Sequence, residues 1–182
     1  PVGPPHTMDR EDFARGVREV APLLLGVAPF GLVAGIAAAN AGLDLTQAVG
    51  MSVIVFAGAS QLAALDLIGR DAPLSVVVLT AVVINLRMLM YSASIAPHFR
   101  TFATRLKAGL AYLLTDQAYA LSIASYRGER SVDRAAYYIG VALTLWVVWQ
   151  VTTAAGVVLG TGVPDAWGLE FAVPLVFLAL LV

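Results

Sequence analysis

The feature that most constrains the fold of this chain is a set of long segments without a charged side chain. Residues 20–43, 45–65 and 135–164 contain no Asp, Glu, Lys or Arg. A membrane-spanning helix needs roughly 20 apolar residues, because a rise of about 1.5 Å per residue has to cross about 30 Å of hydrocarbon. Each of the three segments is long enough to do so.

Three further apolar segments continue the pattern. Residues 72–99 are interrupted only by Arg87, and residues 108–126 only by Asp116, while a last run occupies residues 171–182. We therefore predict an all-α fold, a polytopic transmembrane helical bundle with about six apolar segments. The last run is too short to cross a bilayer. The sequence thus predicts that the chain is truncated in its last segment.

The composition excludes several classes of protein. With 59% hydrophobic and only 13% charged residues, the chain has more apolar surface than a soluble domain of 182 residues can bury. A formal net charge of −1 provides no basic face for nucleic acid. The absence of cysteine removes thiol nucleophiles and Cys-ligated metals, and the common hydrolase and nucleotide-binding motifs are missing. We predict a protein in a lipid bilayer that is not an enzyme and has no cofactor, metal or nucleic-acid partner.

The positions of Lys and Arg predict the orientation, because these residues favour cytoplasmic loops. Residues 1–19 are predicted to be a cytoplasmic lead-in, and residues 20–182 the transmembrane domain. If all six segments cross, seven basic residues lie in the cytoplasm and three outside. If the second and fourth segments are broken or re-entrant, only Arg70 lies outside. Both topologies remain open, and both place the N-terminus in the cytoplasm.

Proline and glycine interrupt the first segment at Pro29-Phe30-Gly31. Pro29 removes one helical hydrogen bond and frees a carbonyl. One interpretation is a kink beside a GxxxG packing face that runs from Gly31 to Gly35. The other is a broken helix whose freed backbone groups meet a ligand.

Small and polar residues interrupt the second segment in the stretch Phe56-Ala-Gly58-Ala-Ser60-Gln61. A hydroxyl or an amide in hydrocarbon needs a polar partner. Ser60 and Gln61 either hydrogen-bond a neighbouring helix or point into a polar cavity. In the second case Gly58 allows a ligand or a backbone to come close.

Charged side chains lie inside the third and fourth segments. Arg87 follows Asn85 by two residues, and Tyr91 lies one helical turn further on the same face. An Arg in mid-membrane costs about 2.5 to 3.5 kcal/mol on insertion scales, so its side chain should face protein or water. Arg87 is either half of a structural ion pair or the host of a ligand carboxylate. Asp116 is either its partner or a proton carrier.

Taken in order, these motifs resemble the AzlC family of branched-chain amino acid exporters. The resemblance rests on Pro29-Phe-Gly-Leu-Val-Ala-Gly35, on Met51-Ser52 leading into Phe56-Ala-Gly-Ala-Ser-Gln61, on Asn85-Leu-Arg87 with Tyr91 and Pro97, and on Thr115-Asp116. It covers residues 15–119 and, more weakly, the remainder. It implies a multi-pass permease of the bacterial inner membrane that exports leucine, isoleucine and valine beside a small, separately encoded AzlD-type membrane subunit. Met88 and Gln117 depart from the family pattern, and Gln117 leaves Asp116 as the single carboxylate at that position.

The resemblance and the residues together predict a secondary transporter that exports branched-chain or other apolar amino acids, with protons carried by Asp116. A zwitterionic amino acid needs a cation or a helix N-terminus for its carboxylate, an acceptor for its ammonium and an apolar pocket for its side chain. The candidate substrate-binding residues are Pro29, Phe30, Gly31, Phe56, Gly58, Ser60, Gln61, Asn85, Arg87 and Tyr91. The alternative is a channel or passive pore gated by Arg87 and Asp116. The candidate partners are the small subunit and a second copy of the chain in a homo-oligomer.

Overall fold

The computed structural model describes residues 8–128 and 132–160. Within these two ranges the regular structure is helical and contains no β-strand. The α-helices are α1 Arg10–Val20, α2 Leu24–Asn40, α3 Leu45–Ile54, α4 Gly58–Gly69, α5 Leu74–Asn85, α6 Arg87–Ile95, α7 Thr104–Tyr112, α8 Asp116–Tyr126 and α9 Arg134–Gly160. The 3₁₀ turns are Ala21–Leu23 and Ala96–Phe99. The prediction of an all-α fold is confirmed.

Three helical stretches of the described chain are long and apolar enough to cross a membrane. Arg10–Asn40 joins α1 to α2, Leu74–Phe99 joins α5 to α6, and Arg134–Gly160 is α9. They correspond to the first, third and fifth predicted segments. A shorter apolar helix, Leu45–Ile54, belongs to the second segment. The long apolar helices are those of a helical membrane bundle, in agreement with the predicted fold class.

The second and fourth segments are each broken near the middle. Residues 55–57 separate α3 from α4, and residues 113–115 separate α7 from α8. The four short helices contain 10, 12, 9 and 11 residues in chain order, so none of them alone spans the roughly 20 residues of a crossing. The structure confirms that these two segments are broken. The last apolar run, residues 171–182, lies outside the described residues.

Side-chain caps explain where several helices begin. Asp9 accepts a hydrogen bond from the amide of Glu11 at the start of α1. Asp44 and Gln47 form a capping box at the start of α3, in which each side chain accepts from the other residue's backbone amide. Such caps satisfy amides that have no partner within the helix. Asp9 and Asp44 therefore mark the starts of α1 and α3.

The chain divides into two compact units, of which the first contains residues 8–24 and 87–146 among those described. Within it α1 lies directly against α9. A Cβ on Gly16 would overlap the backbone of Tyr137, and a Cβ on Gly140 would overlap that of Phe13. Residues 10–19, assigned from the sequence to the lead-in, are thus a packed helix of this unit.

The second unit contains residues 25–86 and 147–160 of the described chain. Here α2 crosses α9 so closely that a Cβ on Gly35 or Gly156 would overlap the backbone of the opposite helix. Helix α2 also continues through Pro29 without a break. The broken-helix interpretation of the first segment is therefore wrong, and the helix-packing interpretation is confirmed.

Candidate functional site

The first unit contains an ion pair between Arg87 of α6 and Asp116 of α8. Nη1 of Arg87 lies 3.1 Å from Oδ2 of Asp116, and the two side chains keep 35% and 38% of their surface exposed. Nε of Arg87 and Oδ1 of Asp116 are buried without a hydrogen-bond partner among the described residues. The ion pair was one of the alternatives left open for these two residues, and the structure shows it. Each side chain therefore has a buried polar atom that the ion pair does not satisfy.

The break in the fourth segment explains why an acidic residue occurs there. Asp116 is the first residue of α8, and Thr115 caps this helix by accepting a hydrogen bond from the amide of Ala118 at 3.2 Å. A carboxylate in the first turn of a helix is stabilised by the helix dipole. The charge of Asp116 is thus compensated from two directions, by the guanidinium of Arg87 and by the start of its own helix.

Two tyrosines lie beside this ion pair. The rings of Tyr91 and Tyr119 stack with centroids 4.5 Å apart and an interplanar angle of 19°. The hydroxyl of Tyr119 donates to Oγ of Ser94 at 2.9 Å, and Tyr91 interacts electrostatically with Asp116. Tyr91 therefore belongs to the ion-pair cluster, as the helical spacing predicted. Tyr119 joins the cluster although the sequence analysis did not select it.

In the second unit, the break of the second segment lies against an aromatic pair. The rings of Phe30 and Trp149 meet edge to face with centroids 5.5 Å apart. A Cβ at Gly58 would lie 2.7 Å from Cη2 of Trp149 and 2.9 Å from Cε1 of Phe30. Phe56 packs against the same apolar cluster. Ala57, which precedes α4, provides no side-chain cap. The first backbone amides of α4 therefore lie next to these rings without a capping hydrogen bond.

Ser52 of α3 fixes the position of Trp149. Nε1 of Trp149 donates to Oγ of Ser52 at 3.0 Å, and Nε2 of Gln150 donates to the carbonyl of Ser52 at 3.3 Å. Trp149 is 4% exposed and Ser52 is fully buried. A buried indole N–H needs such an acceptor. The contact joins residues far apart in the chain, so no local sequence signal predicts it.

The polar residues of the first turn of α4 meet Asn85 at the end of α5. Oγ of Ser60 donates to the carbonyl of Ala57 at 3.0 Å and accepts from Nδ2 of Asn85 at 3.0 Å. Gln61 is 2% exposed. Oδ1 of Asn85 and Oε1 of Gln61 are buried and unpaired within the described chain. The sequence analysis had left open whether Ser60 bonds a neighbouring helix, and the structure shows that it does.

The predicted site residues form two groups, one in each unit. The first unit contains Arg87, Tyr91 and Asp116, and the second contains Pro29, Phe30, Gly31, Phe56, Gly58, Ser60, Gln61 and Asn85. Gly31 lies in the continuous part of α2, where a Cβ would overlap the hydroxyl of Thr152. Gly31 is therefore a helix-packing position.

A charged network in the first unit was missed by the sequence analysis. Arg15 donates from Nε to Glu19 at 2.8 Å and from Nη2 to Ser125 at 2.7 Å, and Glu19 also accepts from the hydroxyl of Tyr137. The guanidinium of Arg15 lies over the ring of Tyr137, 5.2 Å from its centroid. The sequence did contain a signal for this helix. Arg15 and Glu19 have the i, i+4 spacing of a helical ion pair and follow an Asp that can cap the helix. The network ties α1 to α8 and α9.

Comparisons with known proteins agree with the fold and with the motifs. A family model described as "AzlC protein" matches residues 22–163. A Helicobacter pylori (strain J99) protein described as an uncharacterized membrane protein is 28% identical over 174 residues, covering 93% of this chain and 75% of the relative. Inner membrane protein YgaZ of Escherichia coli K12 is 25% identical over 175 residues, covering 93% and 71%. A membrane protein of Archaeoglobus fulgidus is 28% identical over 173 residues, covering 93% and 74%.

No solved structure matches the chain with significance. The region matched by the family model includes both broken segments and every candidate site residue. It also covers well over half of the chain. On this match, the chain belongs to the AzlC family.

Proposed function

We propose that this protein is a secondary transporter that exports branched-chain or other apolar amino acids across the bacterial inner membrane, coupled to protons. Membership of the AzlC family and the similarity to membrane proteins such as YgaZ support a membrane transport role. The substrate class and the direction follow from the resemblance to AzlC exporters. The broken helix in the second unit and the ion pair in the first support the mechanism.

The observation that carries the proposal is the break in front of α4. An amino acid presents a carboxylate, an ammonium and, in this substrate class, an aliphatic side chain. The uncapped start of α4 at Gly58 offers backbone amides and a positive dipole end to the carboxylate. Phe30 and Phe56 offer an apolar surface to the aliphatic side chain. Substrate therefore binds in the second unit, at the first turn of α4.

The Arg87–Asp116 pair of the first unit is assigned to proton coupling. The two side chains keep 35% and 38% of their surface exposed, so the protein does not fully enclose the carboxylate. Protonation of Asp116 removes its charge and weakens its bond to Arg87. The guanidinium is then free to take another partner. Coupling requires two states of the protein that bind the proton with different affinity, because only then does the proton shift the equilibrium between them. The paired and the separated side chains provide two such states.

Counterflow in proteoliposomes tests the substrate class. Vesicles containing purified protein are loaded with unlabelled leucine, valine, methionine or the organic anion 4-methylpentanoate, and the uptake of labelled leucine is measured. We expect the amino acids to accelerate uptake and the organic anion to leave it unchanged. Equal, non-saturating fluxes without acceleration would instead show a channel. Acceleration by the organic anion alone would show a different substrate class.

The small AzlD-type subunit is a proposed partner in this assay. We expect co-production of that subunit to raise the counterflow rate of this chain, because the resemblance implies that the two act together. The comparison is made at equal amounts of this chain per vesicle. A rate that does not depend on the small subunit would remove it from the proposal without affecting the assigned substrate class.

A further inference from the structure

The interior of the second unit contains a group of unpaired oxygen atoms. Its buried polar side chains are all uncharged, namely Ser52, Ser60, Gln61, Gln150 and Thr153. Among the described residues of this unit, the buried side-chain polar atoms without a hydrogen-bond partner are Oε1 of Gln61, Oδ1 of Asn85, Oε1 of Gln150 and Oγ1 of Thr153. All of them are oxygens. Buried polar atoms are rarely left unpaired, because each costs free energy comparable to a lost hydrogen bond.

The hydrogen bonds of the amide nitrogens fix the orientation of two of these oxygens. Nδ2 of Asn85 faces Oγ of Ser60, which already donates its own proton to the carbonyl of Ala57 and so can only accept. Nε2 of Gln150 faces the carbonyl of Ser52, which is an acceptor as well. Rotating either amide would place two acceptors against each other. Oδ1 of Asn85 and Oε1 of Gln150 are therefore the free ends of these amides.

The hydroxyl of Thr153 differs from those of the other two threonines of α9. Thr144 donates to the carbonyl of Gly140 at 2.7 Å, and Thr152 donates to that of Val148 at 2.8 Å. This bond to the preceding turn is the usual way to satisfy a hydroxyl within a helix. Oγ1 of Thr153 makes no such bond in the described chain, although the residue is only 2% exposed. Its hydroxyl is available to a ligand.

Helical spacing places three of these oxygens at one level of the unit. Gln150 and Thr153 are three residues apart and share a face of α9. Leu65, one turn after Gln61, belongs to the same buried cluster as Val157, one turn after Thr153. A Cβ on Gly58, one turn before Gln61, would lie 2.7 Å from Cη2 of Trp149, one turn before Thr153. The two helices therefore run in the same direction, and Gln61 and Thr153 lie at a similar height on α4 and α9.

We propose that these oxygens form a binding site for a small cationic group, with Gln61, Gln150 and Thr153 as ligands and Asn85 beside Ser60 as a fourth acceptor. One N–H of each of the Asn85 and Gln150 amides is bound to an acceptor, so the oxygens of these amides, like Oε1 of Gln61 and Oγ1 of Thr153, are left to accept hydrogen bonds or to coordinate a cation. Two sources supply this chemistry. One is the ammonium of the amino acid, in which case the inference rests on the proposed function. The other is a free monovalent cation such as Na⁺, which neutral carbonyl oxygens coordinate in other transporters.

Thermal unfolding of the purified full chain tests the site. Unfolding temperatures are measured in choline buffer, after addition of Na⁺, and after addition of leucine or 4-methylpentanoate, which lacks the ammonium. We expect a concentration-dependent rise in unfolding temperature with Na⁺ or with leucine, and none with 4-methylpentanoate. A response to leucine in choline buffer identifies the ammonium as the ligand. A response to Na⁺ without leucine identifies the free cation.

Matched variants assign the response to these side chains. Thr153→Val and Gln61→Leu remove one acceptor each and should raise the half-maximal ligand concentration about tenfold or more, as expected for one lost hydrogen bond to a charged group. Thr152→Val, whose hydroxyl is bound within its own helix, is the matched control and should respond like the parent. Thr153→Ser keeps the hydroxyl and should retain the response, which covers the case that Thr153→Val does not fold.

Two results would overturn the site. One is that neither Na⁺ nor leucine shifts the unfolding temperature of the parent protein, as expected if only ordered water fills the site. The other is that Thr153→Val and Gln61→Leu keep the full response. A response to Na⁺ in a protein without leucine counterflow would leave the site standing and refute the proposed function. If the protein shows leucine counterflow but both variants keep the full shift in unfolding temperature, the site is refuted and the proposed function stands.

Discussion

Arg87 and Asp116 lie 29 positions apart in the chain and meet as an ion pair, with Nη1 of Arg87 3.1 Å from Oδ2 of Asp116. Each charge would be costly alone in an apolar segment. The pair therefore explains how two long hydrophobic segments tolerate one charge each. It also makes the two residues interdependent, which mutation can test.

Removal of one charge should be harmful, and exchange of both should restore much of the loss. We expect Arg87→Ala to lower the unfolding temperature and to abolish proton-driven export, because Asp116 then has no basic partner. The loss of stability should exceed the roughly 1 kcal/mol of a fully exposed pair, because the carboxylate of Asp116 is left without its partner in an apolar segment. The double variant Arg87→Asp with Asp116→Arg should regain stability relative to either single exchange. The recovery is expected to be partial, because an Arg at the start of α8 opposes the helix dipole.

Folding and transport are measured separately for these variants, by unfolding temperature and by counterflow. A double variant no more stable than its single exchanges would show that contact between the two groups does not matter for folding. In that case the charges contribute independently.

Asp116→Asn should separate substrate exchange from proton coupling. The amide keeps the shape of the side chain and can still bond to Arg87, but it cannot carry a proton. We expect this variant to exchange leucine at close to the parent rate and to lose the acceleration caused by an imposed pH gradient. Asp66→Asn is the matched control, since Asp66 forms an exposed i, i+4 pair with Arg70. Full pH-driven export in Asp116→Asn would show that another group carries the proton.

Two glycines of α2 should respond in opposite ways to alanine. Gly35→Ala places a methyl group into the backbone of α9, whereas Gly26→Ala places one where no heavy atom lies within 4 Å. We expect Gly35→Ala to destabilise the protein by about 1–3 kcal/mol through overpacking. Gly26→Ala should be neutral or stabilising by up to about 1 kcal/mol, because alanine favours the helix. Unfolding temperatures of both variants test this, and equal values would exclude a tight α2–α9 crossing.

The apolar segments, the two breaks and the polar residues inside them could all be predicted from the sequence. Runs without charge are a direct signal, because lipid excludes charged groups over a fixed length. The breaks also have local signals: small residues precede Gly58, and Thr115 followed by Asp116 is a typical helix start. The pairing of Arg87 with Asp116 was one of two stated alternatives, since each charge needs a partner.

The remaining contacts could not be predicted because they depend on how distant helices pack. The bond from Trp149 to Ser52 joins α9 to α3, and it orients an indole that local sequence only marks as apolar. The unpaired hydroxyl of Thr153 could not be predicted either. Its neighbour Thr152 has the same side chain, but the hydroxyl of Thr152 donates a hydrogen bond within the helix. The sequence also left open whether the helix breaks at Pro29. The structure shows that α2 is continuous there, because packing against α9 stabilises this helix despite the lost hydrogen bond.

The contact between Gly58 and Trp149 predicts a rescue experiment. Gly58→Ala should lower leucine counterflow, because the new Cβ would lie 2.7 Å from Cη2 of Trp149 and force the indole to move. Trp149→Phe removes that atom and makes room for the methyl group. We therefore expect the double variant to transport better than Gly58→Ala alone, at matched expression. No recovery in the double variant would show that Gly58 is needed for something other than space beside Trp149.

The two breaks lead to a prediction of membrane topology. None of the four short helices spans the bilayer alone, so we expect the second and fourth segments each to enter and leave on the same side. The chain has 11 basic residues, of which ten lie outside the apolar segments once Arg87 is set apart. With both segments re-entrant, only Arg70 of these ten lies outside the cytoplasm. That distribution follows the preference of Lys and Arg for the cytoplasmic side better than six simple crossings.

Single-cysteine labelling tests this topology cleanly, because the chain contains no cysteine. Cysteines are introduced one at a time at Met8, Ala72 and Thr101, and intact cells are treated with a membrane-impermeant maleimide before and after permeabilisation. We expect Ala72→Cys to be labelled from outside, and Met8→Cys and Thr101→Cys only after permeabilisation. Six simple crossings give a different pattern, with Thr101→Cys labelled from outside and Ala72→Cys protected together with Met8→Cys. Ala72 and Thr101 exchange sides between the two topologies, so each serves as the control for the other. Both topologies place the N-terminus in the cytoplasm, and labelling of Met8→Cys in intact cells would contradict both.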